Sequence, residues 1–456
     1  MRGNVEEKIE RRILTDPHLA RLRGAPLKGE VYLVGGAIRE MLTGGMPKDY
    51  DLVLSDEADL SRFEGYLGAK AFPLGRKPFN MKRITIDGLT FDCTIIEGPI
   101  EEDLWRRDFT INAIAYDLRR RRIIDPLLGL EDLKRRLIRC PRRENLRADP
   151  LRMLKAVRHL CSLRGFALSD ELLRAITEER SLLSGVARER IKYELDRILL
   201  SDNVFLGMEV LERTGLLYEI FPELLPMKRM DEEGRLDLEI LGHTILGFRY
   251  LPRERTFYPF SEGDILWVGY ALLFHDMGKC ETMKEEPEKG TVHFFYHERV
   301  SKEKAKTIME RLRFSTEETR SILSLVENHM RIFLISTDHA TVKATRRLVL
   351  RMGELTPHLV LLSKCDMYGS SKGRKNSSTE RVERRCREIM EVFYEFKKHP
   401  PKCVINGHDL LSLGFEEGPI IGRVLKEVLD LQLQGRVRDR EDALAYAVRF
   451  LKKGNG

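Results

Sequence analysis

Asp49 and Asp51 stand two residues apart in Asp-Tyr-Asp-Leu-Val-Leu54, a strand pattern whose period of two puts both carboxylates on one face and Tyr50 on the other. Two carboxylates converging this way repel each other unless a divalent cation lies between them, and Mg²⁺ is the hard, oxygen-seeking ion that fits. Asp92, an acid inside the otherwise apolar run Leu89–Ile96, is the candidate third carboxylate. Upstream, Gly35-Gly36 falls between the β-rich Val31–Val34 and a helically spaced Ala-Ile-Arg-Glu-Met-Leu42. Bare backbone N–H groups and the helix dipole favour a phosphate there, and Arg39, one turn in, can add a charge-assisted contact. Alone, an Asp-x-Asp reads as an exposed loop and a Gly-Gly as a turn. In the order strand, Gly-Gly, helix, strand with Asp-x-Asp, they describe a phosphate cradle followed by metal-binding acids, the parts of two-metal nucleotidyl transfer.

Two further groups of polar residues follow. Asp108 and Asn112 lie four apart at the start of a predicted helix, so both can face a nucleotide, and Arg107 can reach its triphosphate. Asp149 and Arg152 lie three apart at the start of a basic helix. One accepts and the other donates, which is the pair needed to read the Watson–Crick edge of cytosine or adenine without a template. Each group also has a purely structural reading: Asp108 as a helix cap, and Asp-Pro as a helix start with Pro in the first turn. In the C-terminal half, His243, His275-Asp276, His297, His329 and Asp366 recur at intervals of about 20 to 40 residues. The His-Asp pair interrupts an apolar helix, where burying both without a partner is costly, and imidazole with carboxylate suits a transition metal or Mg²⁺/Mn²⁺.

Gly35-Gly36-Ala-Ile-Arg39, Asp49-Tyr-Asp51, Arg106-Arg107-Asp108-Phe-Thr-Ile-Asn112-Ala-Ile-Ala115 and Ala148-Asp149-Pro-Leu-Arg152 together resemble the class II tRNA nucleotidyltransferases and the similar bacterial poly(A) polymerases. The resemblance covers nearly the whole chain. It implies an α+β fold with a polymerase-beta-like head over 1–145 and a helical neck for base selection and RNA binding over 146–230. An HD-type body over 231–398 and a helical tail touching tRNA over 399–456 would complete it. It further implies that Asp49, Asp51 and Asp92 are catalytic with Mg²⁺. Gly35, Gly36, Arg39, Arg107, Asp108, Asn112, Asp149, Arg152, Lys155 and Arg158 would bind nucleotide. Two positions depart from the pattern: Ala148 replaces the usual Glu, and Lys155 replaces an Arg, keeping charge but losing bidentate geometry.

Family members that add a complete CCA carry a flexible loop between the head strands and the Arg-Arg-Asp motif. Here only Glu97-Gly-Pro-Ile-Glu-Glu-Asp-Leu-Trp105 fits between, which resembles enzymes that add CC alone. The histidine blocks resemble the HD phosphohydrolases, down to Phe295-Tyr-His-Glu-Arg-Val-Ser301. That resemblance implies His243, His275, Asp276 and Asp366 on a first metal, with His297 and His329 near a second, and phosphodiesterase or phosphatase activity.

The expected partners are therefore the tRNA 3′ acceptor end and CTP, with ATP an open second substrate, and neither DNA nor a membrane. Two alternatives are a bacterial poly(A) polymerase and an RNA-binding protein with a vestigial head; the intact Gly36, Arg39, Asp49, Asp51, Asp149 and Arg152 speak against the latter. Composition agrees with a folded enzyme: 456 residues, 42% hydrophobic and 33% charged, with seven scattered cysteines and no C-x-x-C pair. The charged start and the lack of an apolar run of about 20 residues point to a cytoplasmic protein. The net charge of +7 is uneven. Arg119 to Arg164 holds fifteen Lys or Arg against five Asp or Glu, beside the proposed nucleotide pocket, where phosphates would converge. The strand signals stop after Pro150, so the remainder is expected to be helical.

Overall fold

The structure is a computed structural model that describes residues 2–45, 47, 49–73, 81–234, 239–286, 288, 291–337, 340–433 and 435–454. The chain divides into two compact units, Met1–Leu195 with Val210–Ile220, and Asp196–Glu209 with Phe221–Gly456.

In the first unit one mixed sheet holds β1 (Val31–Val34), β2 (Asp49–Leu54), β3 (Phe72–Pro73), β4 (Met81–Ile86), β5 (Leu89–Ile95), β6 (Ala115–Asp117) and β7 (Arg122–Ile124). Their order is β3-β4-β5-β2-β1-β6-β7, and β2 with β5 is the parallel pair. Asp87 (φ 51°) and Gly88 (φ 77°) both take positive φ, as a tight two-residue hairpin turn requires, and the turn pairs Ile86 with Leu89. Alternation then sorts every strand. Leu33, Tyr50, Leu52, Phe91 and Cys93 face a core with Ile9, Ile38 and Phe63, while Val34 and Val53 face Ile100 and Leu104 on the other side. Tyr50 is fully buried, stacks on Phe91 at 5.5 Å and donates its hydroxyl to Asp16 Oδ2 at 2.7 Å. Burying Tyr50 in the first core turns Asp49 and Asp51 to the second face.

The second unit is mainly helical. The helices Ile240–Gly247 and Thr356–Ser370 approach closely enough that a Cβ on Gly369 would lie 3.0 Å from the backbone nitrogen of Gly247. Glycine at this crossing lets the helix bearing His243 sit against the helix bearing Asp366. The helices Gly407–Ser412, Pro419–Leu433 and Arg440–Gly454 enclose a small separate core of Leu410, Phe415, Val424, Val428, Ala443 and Ala447.

The structure differs from the sequence expectations at three places. The N-terminal stretch, whose pattern over residues 4 to 23 predicts one helix, is two helices, Arg2–Thr15 and Pro17–Gly24, broken at Asp16, whose carboxylate accepts from Tyr50 and from the Leu19 backbone. Thr110–Asn112 is a single 3₁₀ turn, so Asp108 and Asn112 meet across a tight turn instead of along a helix. Strands also continue past Pro150: Ala167–Leu168 pairs with Leu137–Ile138, and Met283–Glu286 forms a hairpin with Thr291–Phe294. These strands are short and, in Met-Lys-Glu-Glu286, too polar to show an apolar alternation. All seven cysteines are free, and among the described residues no helix is long and apolar enough to cross a membrane.

Candidate active site and metal centre

The first cluster lies where β1 ends beside β2. Val34 pairs with Asp51, so Gly35 begins its turn directly at that carboxylate. Gly35 has φ 75°, and a Cβ there would run into Asp51 and come within 3.0 Å of Arg107 Nη1. Only glycine gives the helix Gly36–Thr43 this start. Asp49 is exposed and Asp51 half-buried; neither makes a hydrogen bond or ion pair among the described residues. Burial above all raises the Asp51 carboxyl, and Asp92, Asp108 and Asp49 add to it, while Arg107 pulls the other way. Such a surplus of negative charge suits a cation. A pair of carboxylates with free oxygens, beside a helix start whose glycine leaves room, is a fitting donor set for a divalent ion.

The sequence-predicted nucleotide residues converge behind this cluster. Buried Arg39 donates to Asn112 Oδ1, and Asn112 Nδ2 donates to Asp108 Oδ1 at 3.0 Å. Against the burial that would raise it, His159, Lys155, the Asn112 amide and Arg152 hold the Asp108 carboxyl below its ordinary range. Arg152 Nη1 donates to the carbonyls of Asn145 at 3.2 Å and Arg107 at 3.4 Å. Asp149 is held by Arg190 Nη2, 3.3 Å from each carboxylate oxygen. Asp149 and Arg152 thus do not neutralise each other: each is fixed by a third group.

Two expected site residues have other employment. Asp92 is gripped by Arg83, Nε to Oδ1 and Nη2 to Oδ2, both 2.7 Å. Arg158 donates to the buried Glu194 at 2.7 Å. The basic stretch is likewise partly spent, with Arg139 paired to Asp132, and Arg143 and Arg147 to Glu179. Lys155 has no ion-pair partner among the described residues, and with Arg152 it leaves the unspent charge beside Asp108.

The second cluster lies within the second unit and is buried throughout. His243, His275, His297 and His329 each direct Nδ1 at a backbone carbonyl, those of Glu239, Leu272, Phe294 and Val326, at 2.7–2.8 Å. Those carbonyls can only accept, so each Nδ1–H donates to one and every Nε2 points inward, where it can take up a proton or a metal ion. Asp276 lies between them: Oδ2 is 3.0 Å from His243 Nε2 and 3.2 Å from His275 Nε2, while Oδ1 is 3.3 Å from His297 and 3.6 Å from His329. Asp366 Oδ1 lies 3.6 Å from both His243 and His275. His297 and His329 bring two Nε2 atoms to 3.1 Å. His243 Nε2, His275 Nε2 and Asp276 Oδ1 have no hydrogen-bond partner, while Asp276 Oδ2 meets the Lys279 ammonium at 2.6 Å. Burial works to lower the His275 imidazole, yet Asp276 and Asp366 raise it to about 10. Two buried carboxylates and four imidazoles facing one another call for more positive charge than the one Lys279 ammonium supplies. The donors form two groups, His243 with His275 and Asp366, and Asp276 with His297 and His329, which suits a pair of metal ions sharing Asp276.

Family models match the chain in three places: a "Poly A polymerase head domain" over residues 78–139, a "Probable RNA and SrmB- binding site of polymerase A" over 165–228, and an "HD domain" over 238–369. The CC-adding tRNA nucleotidyltransferase of Thermus thermophilus is 34% identical over 427 residues, covering 91% of this chain and 93% of that relative. The chain belongs to the tRNA nucleotidyltransferase family. It is accordingly an enzyme, a nucleotidyltransferase that also carries an HD domain. The A-adding tRNA nucleotidyltransferase of Deinococcus radiodurans is 32% identical, over 93% of this chain and 96% of its own. The solved Thermotoga maritima CCA-adding enzyme complexed with tRNA has the same fold, with a TM-score of 0.65 at 20% identity over 99% of this chain and 98% of that one. A CCA-adding enzyme solved with CTP gives 0.66 at 19%, over 99% and 98%.

Sequence reasoning missed Arg83, His159, Arg190 and Glu194. Arg83 was within reach: the Asp87-Gly88 turn fixes the hairpin register and sets Arg83 opposite Asp92. His159 gave no signal beyond its place on an amphipathic helix, and Arg190 and Glu194 reach the site only through tertiary packing.

Proposed function

We propose that this enzyme adds C residues, ending at CC, to the 3′ end of tRNA from CTP, with release of pyrophosphate. The observation that carries the CC limit is the connection from β5 to the helix Ile100–Arg106, which is only residues 96–99 and leaves no room for the loop associated with admitting ATP. Asp49 and Asp51 hold the divalent ion, taken as Mg²⁺, and Gly35-Gly36 with Arg107 receive the triphosphate. A bound ion supplies Lewis acidity to the attacking 3′ hydroxyl and the α-phosphate. Asp108 and Asn112, locked by Arg39, orient the ribose. Asp149 accepts from the cytosine amino group while Arg152 donates to the acceptors of the same edge; each held by a separate group, they read the base in place of a template. Lys155 offsets phosphate charge. Arg158, tied to Glu194, fixes the helix Arg152–Ser162.

The four-part division given above, cytoplasmic action, and metal-dependent phosphoester hydrolysis by the HD cluster belong to the same reading. In that cluster His243, His275, Asp366, Asp276, His297 and His329 are the ligands. The deciding assay incubates purified enzyme with tRNA lacking its 3′ end and with CTP and ATP, separately and together. Addition of two C residues supports the reading, terminal A addition overturns the CC limit, and long A tails on generic RNA favour a poly(A) polymerase.

A further inference from the structure

Across the sheet, register brings three polar side chains into one row. Asp51 on β2 is paired with Asp92 on β5, and Asp92 with Arg83 on β4. Neighbouring strands lie about 4.8 Å apart and alternation puts all three on one face, together with Asp49. The row is two carboxylates ending in a guanidinium, with Asp49 beside it on the strand of Asp51. Its members are treated unequally: Asp49 and Asp51 have no hydrogen-bond partner among the described residues, whereas both oxygens of Asp92 are taken at 2.7 Å by one planar fork. The adjacent Lys82 faces the opposite side and meets Glu57 at 3.4 Å, an ordinary exposed pair. Arg83 differs from it, because Asp92 is 13% exposed and because Asp49 and Asp51 also act on the guanidinium.

We propose that Arg83 is a positioning residue of the head metal site: a built-in counter-cation that competes with the divalent ion for Asp92 and so sets the metal concentration at which the site fills. An arginine fork occupies the two oxygens in the way a metal would and cancels their charge. While the fork is in place, Asp49 and Asp51 are the open ligands. Drawing Asp92 to the ion means opening two charge-assisted hydrogen bonds. The inference rests on the reading that Asp49 and Asp51 hold the ion.

The test is Mn²⁺ binding to the full chain followed by electron paramagnetic resonance, without nucleotide. The head's share is the part lost in Asp49→Asn/Asp51→Asn. Arg83→Met is expected to tighten that share about tenfold and to lower the Mg²⁺ concentration for half-maximal nucleotide transfer. Arg83→Lys, which keeps the charge but loses the fork, should fall between wild type and Arg83→Met. Arg83→Met/Asp92→Asn, which removes a neutral pair, should return the affinity to within about threefold of wild type. A fold-supporting role for Arg83 predicts the opposite sign. Unchanged or weaker Mn²⁺ binding in Arg83→Met overturns the proposal, whereas the absence of any share dependent on Asp49 and Asp51 overturns the metal reading beneath it.

Discussion

The two clusters solve the same electrostatic problem in opposite ways. The HD cluster is buried, built from six side chains on helices and the segments at their ends, and every imidazole is aimed by a backbone carbonyl. The head cluster offers two open carboxylates on a strand, one of them exposed, a glycine turn, and a third carboxylate already clasped by arginine. Buried acceptors are poorly served by water, so on the proposed reading the HD site would hold its ions as part of the folded state. On the proposed reading, the head site is open because substrate phosphates would complete its ligand set. A site that must release product on each cycle gains from this arrangement, and a resident metal centre gains from the other.

The largest effect that would break this contrast comes from the head. Asp49→Ala/Asp51→Ala is expected to lower kcat for CTP transfer by about 10³-fold, measured on tRNA lacking its 3′ end, while leaving metal content at the HD cluster intact. Retained transfer would mean that the chemistry lies elsewhere. Next, His275→Ala/Asp276→Ala should abolish metal-dependent phosphodiesterase activity, lowering it by about 10²-fold or more, with CTP transfer retained. Unchanged hydrolysis would remove the assignment. Metal removal sharpens the comparison thermodynamically. If the HD ions are present at a hundred times their Kd, stripping them with a chelator should cost about 2.7 kcal/mol of stability per ion in calorimetry, whereas Asp49→Asn/Asp51→Asn should leave that shift unaltered.

The effect furthest from catalysis concerns His159, packed edge-on against Phe109 at 5.5 Å. Burial first, then Arg158, Arg39 and Lys155, depress its imidazole from 6.5 to about 3, with Asp108 opposing. Below pH 6.5 the unfolded chain binds a proton that the folded chain refuses. Stability therefore falls with decreasing pH, by up to about 1.4 kcal/mol per unit, until the folded value is reached. His159→Phe should flatten that acid limb in pH-dependent denaturant melts, and an unchanged slope would show that the ring is protonated in the native state.

How much of this was legible beforehand follows from which interactions are local. Strand alternation placed Asp49 and Asp51 on one face, and Asp87-Gly88 between two alternating runs is a hairpin signal in the sequence, because both depend on neighbours in sequence. The histidine spacing marked the HD cluster by composition. The bridging geometry of Asp276 depends on how separate helices cross, and no spacing encodes that. The turn at Thr110–Asn112 was read as a helix because Asp108 and Asn112 have helical spacing, while the Thr110 N–H is instead drawn off to the Arg139 carbonyl at 2.9 Å. Residues such as Arg190 and Glu194 were invisible for the same reason: their roles exist only once the helix Arg188–Leu199 packs beside Asp149 and Arg158. The reading of Asp92 as the candidate third carboxylate took the acid from the sequence, while its cross-strand partner Arg83 comes only with the strand register.

The central claim is that the head is a CTP-using transferase whose short β5 connection stops addition at CC. It is tested most directly by mass analysis of the 3′ end of a tRNA transcript lacking CCA after incubation with purified enzyme, Mg²⁺, CTP and ATP together. The account predicts a product two cytidylates longer than the substrate. A product ending in adenosine, or one unchanged in length, would contradict it.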